Sequence, residues 1–171
     1  METYNGPTHY IDYITSEHKL YTLIKNIDKF DNETHMYEFP NKDLLNIAID
    51  YMKSKGYDNF CEPTIYNSLI ENWVYNVNGH KEPELCEHVD DDGGVNGNVN
   101  TLIIYYEFDD GIKGGNLYIN INNDIEIFDP RPTEKGICVL CIRGDILHEI
   151  QNMNGRGRRC CLVLQFPCIR T

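Results

Sequence analysis

At 171 residues, 41% hydrophobic and 25% charged, the chain has the length of one compact domain and little room for a second. Fifteen Lys and Arg stand against 27 Asp and Glu, a formal net charge of -12, which argues against long-range attraction to nucleic acid or anionic lipid and favours a basic partner. No apolar run approaches the roughly 20 residues of a membrane-spanning helix, and Met1-Glu-Thr-Tyr-Asn5 lacks the basic start and apolar stretch of a signal peptide, so a cytoplasmic protein is expected.

In chain order, the first helical spacing falls in Ser16 to Lys25, where Leu20, Leu23 and Ile24 share a face. His35 to Phe39 reads as a short strand closed by Pro40, which cannot donate to a ladder. A second helix is predicted after Asn41, a capping residue, with Leu44, Leu45, Ala48, Ile49 and Met52 as its apolar stripe and Gly56 beyond its end. After Pro63 the period changes to two, and short apolar runs alternate with turn residues in the manner of an all-β sandwich or barrel. The predicted strands are Ser68 to Val77, Thr101 to Phe108, Asn116 to Ile121, Asp124 to Phe128, Gly136 to Ile142, Ile146 to Glu149 and Arg159 to Phe166. Between them lie Asn78-Gly79, a loop rich in Asp, Gly and Asn from Asp90 to Asn98, Asp109-Asp-Gly111, Asn122-Asn-Asp124 and Asn154-Gly-Arg-Gly157, all tolerant of positive φ.

Seven cysteines without an export signal read as reduced thiols. Cys138 and Cys141 form a C-x-x-C, but it lies inside an apolar strand and has no second pair at zinc-binding spacing, so core packing is expected. Cys160 and Cys161 sit in a similar run. His9, His18 and His35 have no partner visible in the sequence and are expected at the surface.

The chemistry concentrates in His88-Val-Asp90. Residues i and i+2 of an extended segment point to the same side, so one imidazole and one carboxylate can converge on one ion. His148 follows Asp90 by 58 residues, at the end of another predicted strand. Two histidines and a carboxylate on one face of an octahedral ion leave three positions open, the ligand arrangement of non-haem Fe(II) oxygenases.

After His88 come, in order, the Asp/Gly/Asn loop, Thr101-Leu-Ile-Ile-Tyr-Tyr106, Gly114-Gly115-Asn-Leu117, His148, and Gly157-Arg158-Arg159 opening the last strand. That order resembles the 2-oxoglutarate- and Fe(II)-dependent oxygenases, in their prolyl 4-hydroxylase-like branch, from about Trp73 to Phe166. The resemblance implies a mainly β fold with flanking helices. Its core would be a double-stranded β-helix (jelly-roll or cupin-like) over residues 61–171, with residues 1–60 an N-terminal α/β extension that gives helical support within the same domain. It implies Fe(II) held by His88, Asp90 and His148, with 2-oxoglutarate as cosubstrate, O2, and ascorbate as a supportive reductant. A basic residue in the G-x-R context would hold the far carboxylate of 2-oxoglutarate. Arg159 keeps that phrase and shares a strand face with Cys161, Val163 and Gln165, whereas Arg158 stands at the more usual distance from His148. Tyr106 matches the family tyrosine that donates to that carboxylate, and Tyr75 resembles a second one ahead of the H-x-D.

The activity so implied is hydroxylation of a protein or peptide side chain, prolyl 4-hydroxylation first, with 2-oxoglutarate decarboxylated to succinate. Two alternatives stay open: oxidation of a free amino acid or small metabolite, and a non-catalytic cupin-type module that binds a metal or ligand. Neither a nucleic-acid nor a membrane partner is expected, and the oligomeric state is not written in the sequence.

Overall fold

A computed structural model describes residues 6–29, 41–58, 64–70 (as backbone), 87–90 and 99–168. In chain order these form β1 (His9–Ile14), α1 (Tyr21–Lys25), a 3-10 turn (Ile27–Lys29), α2 (Lys42–Ser54), β2 (Thr64–Ile70), β3 (Val99–Phe108), β4 (Ile112–Lys113), β5 (Leu117–Ile121), β6 (Asp124–Phe128), β7 (Ile137–Arg143), β8 (Leu147–Ile150), β9 (Asn154–Gly155) and β10 (Arg159–Pro167). The fold is mainly β with few helices. An antiparallel five-stranded sheet has the order β1-β7-β3-β10-β2, a three-stranded sheet the order β6-β5-β8, and β4 pairs with β9.

Strands β3, β7 and β10 occupy the middle of the large sheet and are buried on both faces, which explains their near-continuous apolar runs. On one face Leu102, Ile104, Val139, Cys141, Leu162, Leu164 and Phe166 meet Leu20, Leu23, Leu44, Ala48 and Met52 from the helical side. On the other, Ile103, Tyr105, Cys138, Leu140, Ile142 and Cys161 meet Leu117 and Ile119 of β5 and Ile146. Full burial of each such aliphatic side chain stabilises the fold by roughly 1.5–3 kcal/mol. Helices, large sheet and small sheet therefore stack as three layers.

Helix α2 forms as its pattern predicts. The Asn41 side chain accepts from the Leu44 N–H at 2.9 Å, and Leu44, Ala48 and Met52 are buried together with Tyr51. Gly56, at φ +88°, closes the helix, and the Tyr57 N–H turns back to the Met52 carbonyl at 3.1 Å. The first predicted helix is shorter than its spacing suggested. Residues 15–20 take successive turns, with His18 N–H on the Thr15 carbonyl and Tyr21 N–H on the His18 carbonyl, before α1 begins.

Strand β1 was not anticipated. It pairs with β7 along its whole length, so the N-terminal region contributes an edge strand to the large sheet as well as helices. The predicted strand His35 to Phe39 and residues 71–77 of the predicted strand Ser68 to Val77 lie outside the described residues. Two histidines expected at the surface make specific contacts. His9 Nε2 lies 3.0 Å from Glu126, and His18 Nδ1 accepts the Leu20 N–H while its ring meets Tyr51 edge-on. Cys138 and Cys141 are buried on opposite faces of β7, as i and i+3 must be on a strand, and burial pushes the Cys138 thiol up to about 12. That geometry suits core packing and not a shared metal.

Candidate metal centre

The site begins with a pair of backbone hydrogen bonds. His88 and His148 exchange N–H to carbonyl contacts at 2.9 Å each way, so the short segment 87–90 lies antiparallel beside β8. Directly opposed residues of an antiparallel pair project to the same side. Their imidazoles accordingly meet, with ring centroids 4.4 Å apart. Two residues on from His88, Asp90 follows to the same side. Its Oδ1 lies 3.6 Å from His88 Nε2 and 3.7 Å from His148 Nε2.

One ligating atom from each of the three residues thus falls within 4.8 Å of the others. The group grades from exposed His88 to buried His148, so one side opens outward while the other is set into the protein. His148 Nδ1 lies 2.9 Å from the Ile146 carbonyl, which only accepts, so Nδ1 carries the hydrogen and Nε2 keeps its lone pair toward Asp90. Burial holds the His148 pKa below its ordinary value against the opposing influence of Asp90. The carboxylate's second oxygen, Oδ2, accepts from Thr101 Oγ1 at 2.5 Å. Two imidazole nitrogens and one carboxylate oxygen, with the deeper imidazole held neutral, suit a divalent first-row metal ion.

At the start of β10, opposite Phe108 of β3, lies Arg159. It is only 2% exposed, its guanidinium stands 5.3 Å from the Tyr105 ring and 5.7 Å from the Phe108 ring, and its Nε has no hydrogen-bond partner. No carboxylate among the described residues pairs with it. Arg158 differs sharply: its side chain is about half exposed, and it faces Glu107 at 3.5 Å. Of the two adjacent arginines, Arg159 alone enters the interior.

Tyr106, the expected tyrosine partner of Arg159, does not stand beside it. It packs against the helix-side core, where burial raises the pKa of its hydroxyl beside Cys160, whereas Tyr105 is the tyrosine facing Arg159. Adjacent strand residues point to opposite faces, and Tyr105, opposite Cys161, takes the face that Cys161 shares with Arg159; a register shift between Cys160 and Cys161 adds Phe108 to that side. Cys160 stands opposite Glu107 and Cys161 opposite Tyr105, so the register skips Tyr106 and Phe108 comes opposite Arg159 beside Tyr105. Tyr75 and Trp73 lie outside the described residues, as does the Asp91-Asp92 loop. Thr101 escaped the sequence reading. Its only signal was a polar residue at the start of an apolar strand, two steps of two from Tyr105.

No family model matches the chain, and no curated protein matches it. A solved structure described as IDO from Bacillus thuringiensis is similar at a TM-score of 0.48 and 11% identity, over 98% of this chain and 74% of that one. A likeness of that size defines neither a fold nor an activity. Among the described residues, no helix is long and apolar enough to cross a membrane.

Proposed function

We propose that the protein is an Fe(II)- and 2-oxoglutarate-dependent dioxygenase of the prolyl 4-hydroxylase-like kind, built on a double-stranded β-helix, that hydroxylates a protein or peptide side chain with proline as the leading target. The observation that carries the reading is Arg159. A guanidinium buried to 2% exposure with no carboxylate counterion among the described residues is costly by several kcal/mol, and it stands over Tyr105, on the same strand as the Thr101 that bonds Asp90. A dicarboxylate cosubstrate would supply a counterion at one end and a chelating keto acid at the other. A purely structural metal site gives no reason for the second feature.

His88, Asp90 and His148 would hold the metal. Bound there, Fe(II) supplies oxygen activation coupled to decarboxylation of 2-oxoglutarate to succinate and carbon dioxide. The chain's own residues bind and orient. Arg159 grips the far carboxylate with two parallel N–H donors, and Tyr105 offers its hydroxyl on the same side. Around them Cys161, Leu117 and Ile119 exclude water, which strengthens the ion pair. His148, kept neutral by burial, remains a ligand where an exposed histidine would begin to protonate. The net charge of -12 favours a basic peptide substrate.

The test is succinate formation from 2-oxoglutarate with Fe(II) and ascorbate, with and without proline-containing basic peptides. The wild type should turn over and His148→Ala should not. Equal turnover in the two would remove the catalytic assignment. Peptide-independent turnover stimulated by free amino acids would move the substrate class to small metabolites.

A further inference from the structure

Asp90 presents its two carboxylate oxygens to different neighbours. Oδ1 faces both histidines, whereas Oδ2 accepts from Thr101 Oγ1 at 2.5 Å, a short and therefore strong contact for a hydroxyl on a carboxylate. Thr101 is fully buried on β3, bracketed by Ile142 of β7 and Gln165 of β10, so its backbone is fixed from both sides. A β-branched side chain on such a strand has little χ1 freedom. The hydroxyl is thus aimed by the sheet and not by the loop that carries Asp90.

We infer that Thr101 is a positioning residue for the metal centre: by engaging Oδ2 it restricts Asp90 to one coordinating oxygen, Oδ1. The inference rests on the metal-binding reading above and adds to it. A free carboxylate beside a divalent ion can turn and bind through both oxygens, which would consume one of the positions a chelating keto acid and oxygen require. Thr101 opposes that turn. It also fixes the carboxylate plane before the ion arrives, and outer-shell contacts of this kind typically carry about 10- to 100-fold in metal affinity.

The experiment uses Mn(II) as the probe on full-length wild type, Thr101→Val and Thr101→Ser, with affinity measured by titration and metal-bound water counted by proton relaxation. Thr101→Val should bind Mn(II) about 10-fold or more weakly and carry fewer bound waters, and Thr101→Ser should restore both. Wild-type affinity and an unchanged water count in Thr101→Val would overturn the inference. A loss of metal-free thermal stability without either change marks Thr101 as merely structural and also overturns it. If Thr101→Val does not fold, the infrared carboxylate stretches of the wild-type Mn(II) complex decide, since one-oxygen and two-oxygen binding split them differently; a two-oxygen signature sinks the idea. Failure of the wild type to bind Mn(II) in a His148-dependent way instead brings down the metal reading itself, and the Thr101 role with it.

Discussion

The neighbouring tyrosines Tyr105 and Tyr106 have opposite fates, and the difference is testable. Tyr105 is 1% exposed with its ring beside Arg159, whereas Tyr106 belongs to the helix-side core. If Tyr105 donates to the carboxylate that Arg159 holds, its hydroxyl contributes a hydrogen bond to a charged group, about 1.5–3 kcal/mol. Tyr105→Phe should then raise the 2-oxoglutarate concentration for half-maximal succinate formation by about 10- to 100-fold, and Tyr106→Phe should leave it within about 3-fold. The reverse ranking would return the role to Tyr106. Arg159 allows a second test. Because its buried charge has no counterion among the described residues, Arg159→Met should leave the cosubstrate-free protein as stable as wild type or more so, by up to about 2 kcal/mol in urea unfolding. The same variant should lose stabilisation by added 2-oxoglutarate. A strongly destabilised Arg159→Met would mean that the guanidinium serves the fold.

Strand β1 and helix α2 are joined by a small charged network with a pH signature. Lys55 Nζ lies 3.1 Å from Asp12 Oδ2 and over the Tyr10 ring, and the Tyr51 hydroxyl donates to the same carboxylate at 3.1 Å. Burial alone would raise the Asp12 pKa. The Lys55 hydrogen bond, the Tyr13 N–H, the Lys55 charge and the Tyr51 hydroxyl together outweigh it and hold the carboxyl below its usual 3.8. A depressed folded-state pKa contributes stability above the unfolded value and loses it as pH falls through the folded one. Chemical unfolding of wild type and Asp12→Asn should therefore differ most near neutrality and converge below pH 3.8. A difference that persists unchanged into that range would show packing, and not charge, to be the link.

This network also marks where the sequence became hard to read. Strands β3, β5, β6, β7, β8 and β10 fall within two residues of their predicted bounds at each end because their apolar or alternating runs stop at turn residues such as Asn122 and Asn123, both at positive φ. In β1, His9-Tyr-Ile-Asp-Tyr-Ile14 mixes polar and apolar residues on both faces, because Asp12 is satisfied by α2 and His9 by Glu126, partners remote in sequence. The H-x-D pair was legible locally through the i, i+2 rule. Joining it to His148 required a pattern of long-range order, and choosing Tyr105 required the pairing register of β3 against β10, which exists only across two strands.

At the scale of the whole molecule, the three candidate ligands tie the segment 87–90 to β8, where His88 and His148 also exchange two backbone hydrogen bonds. A metal ion bound to the folded chain would staple it. Linkage fixes the size of the effect: a ligand that binds only the native state at 100 times its Kd stabilises by about 2.7 kcal/mol. For a chain of this length each kcal/mol moves the Tm by about 2–4 °C, so saturating Mn(II) should raise it by about 5–10 °C. A chelator should reverse the rise, and Asp90→Ala should abolish it. The gain should also appear locally, as slower hydrogen exchange at the His88 and His148 amides, which report opening of that junction. Mn(II) stabilisation that survives in Asp90→Ala would place the ion elsewhere on a surface of net charge -12, where acidic side chains offer many weak and salt-sensitive sites. Raising ionic strength separates the two cases, because a partly buried three-ligand site is screened far less than a diffuse acidic surface.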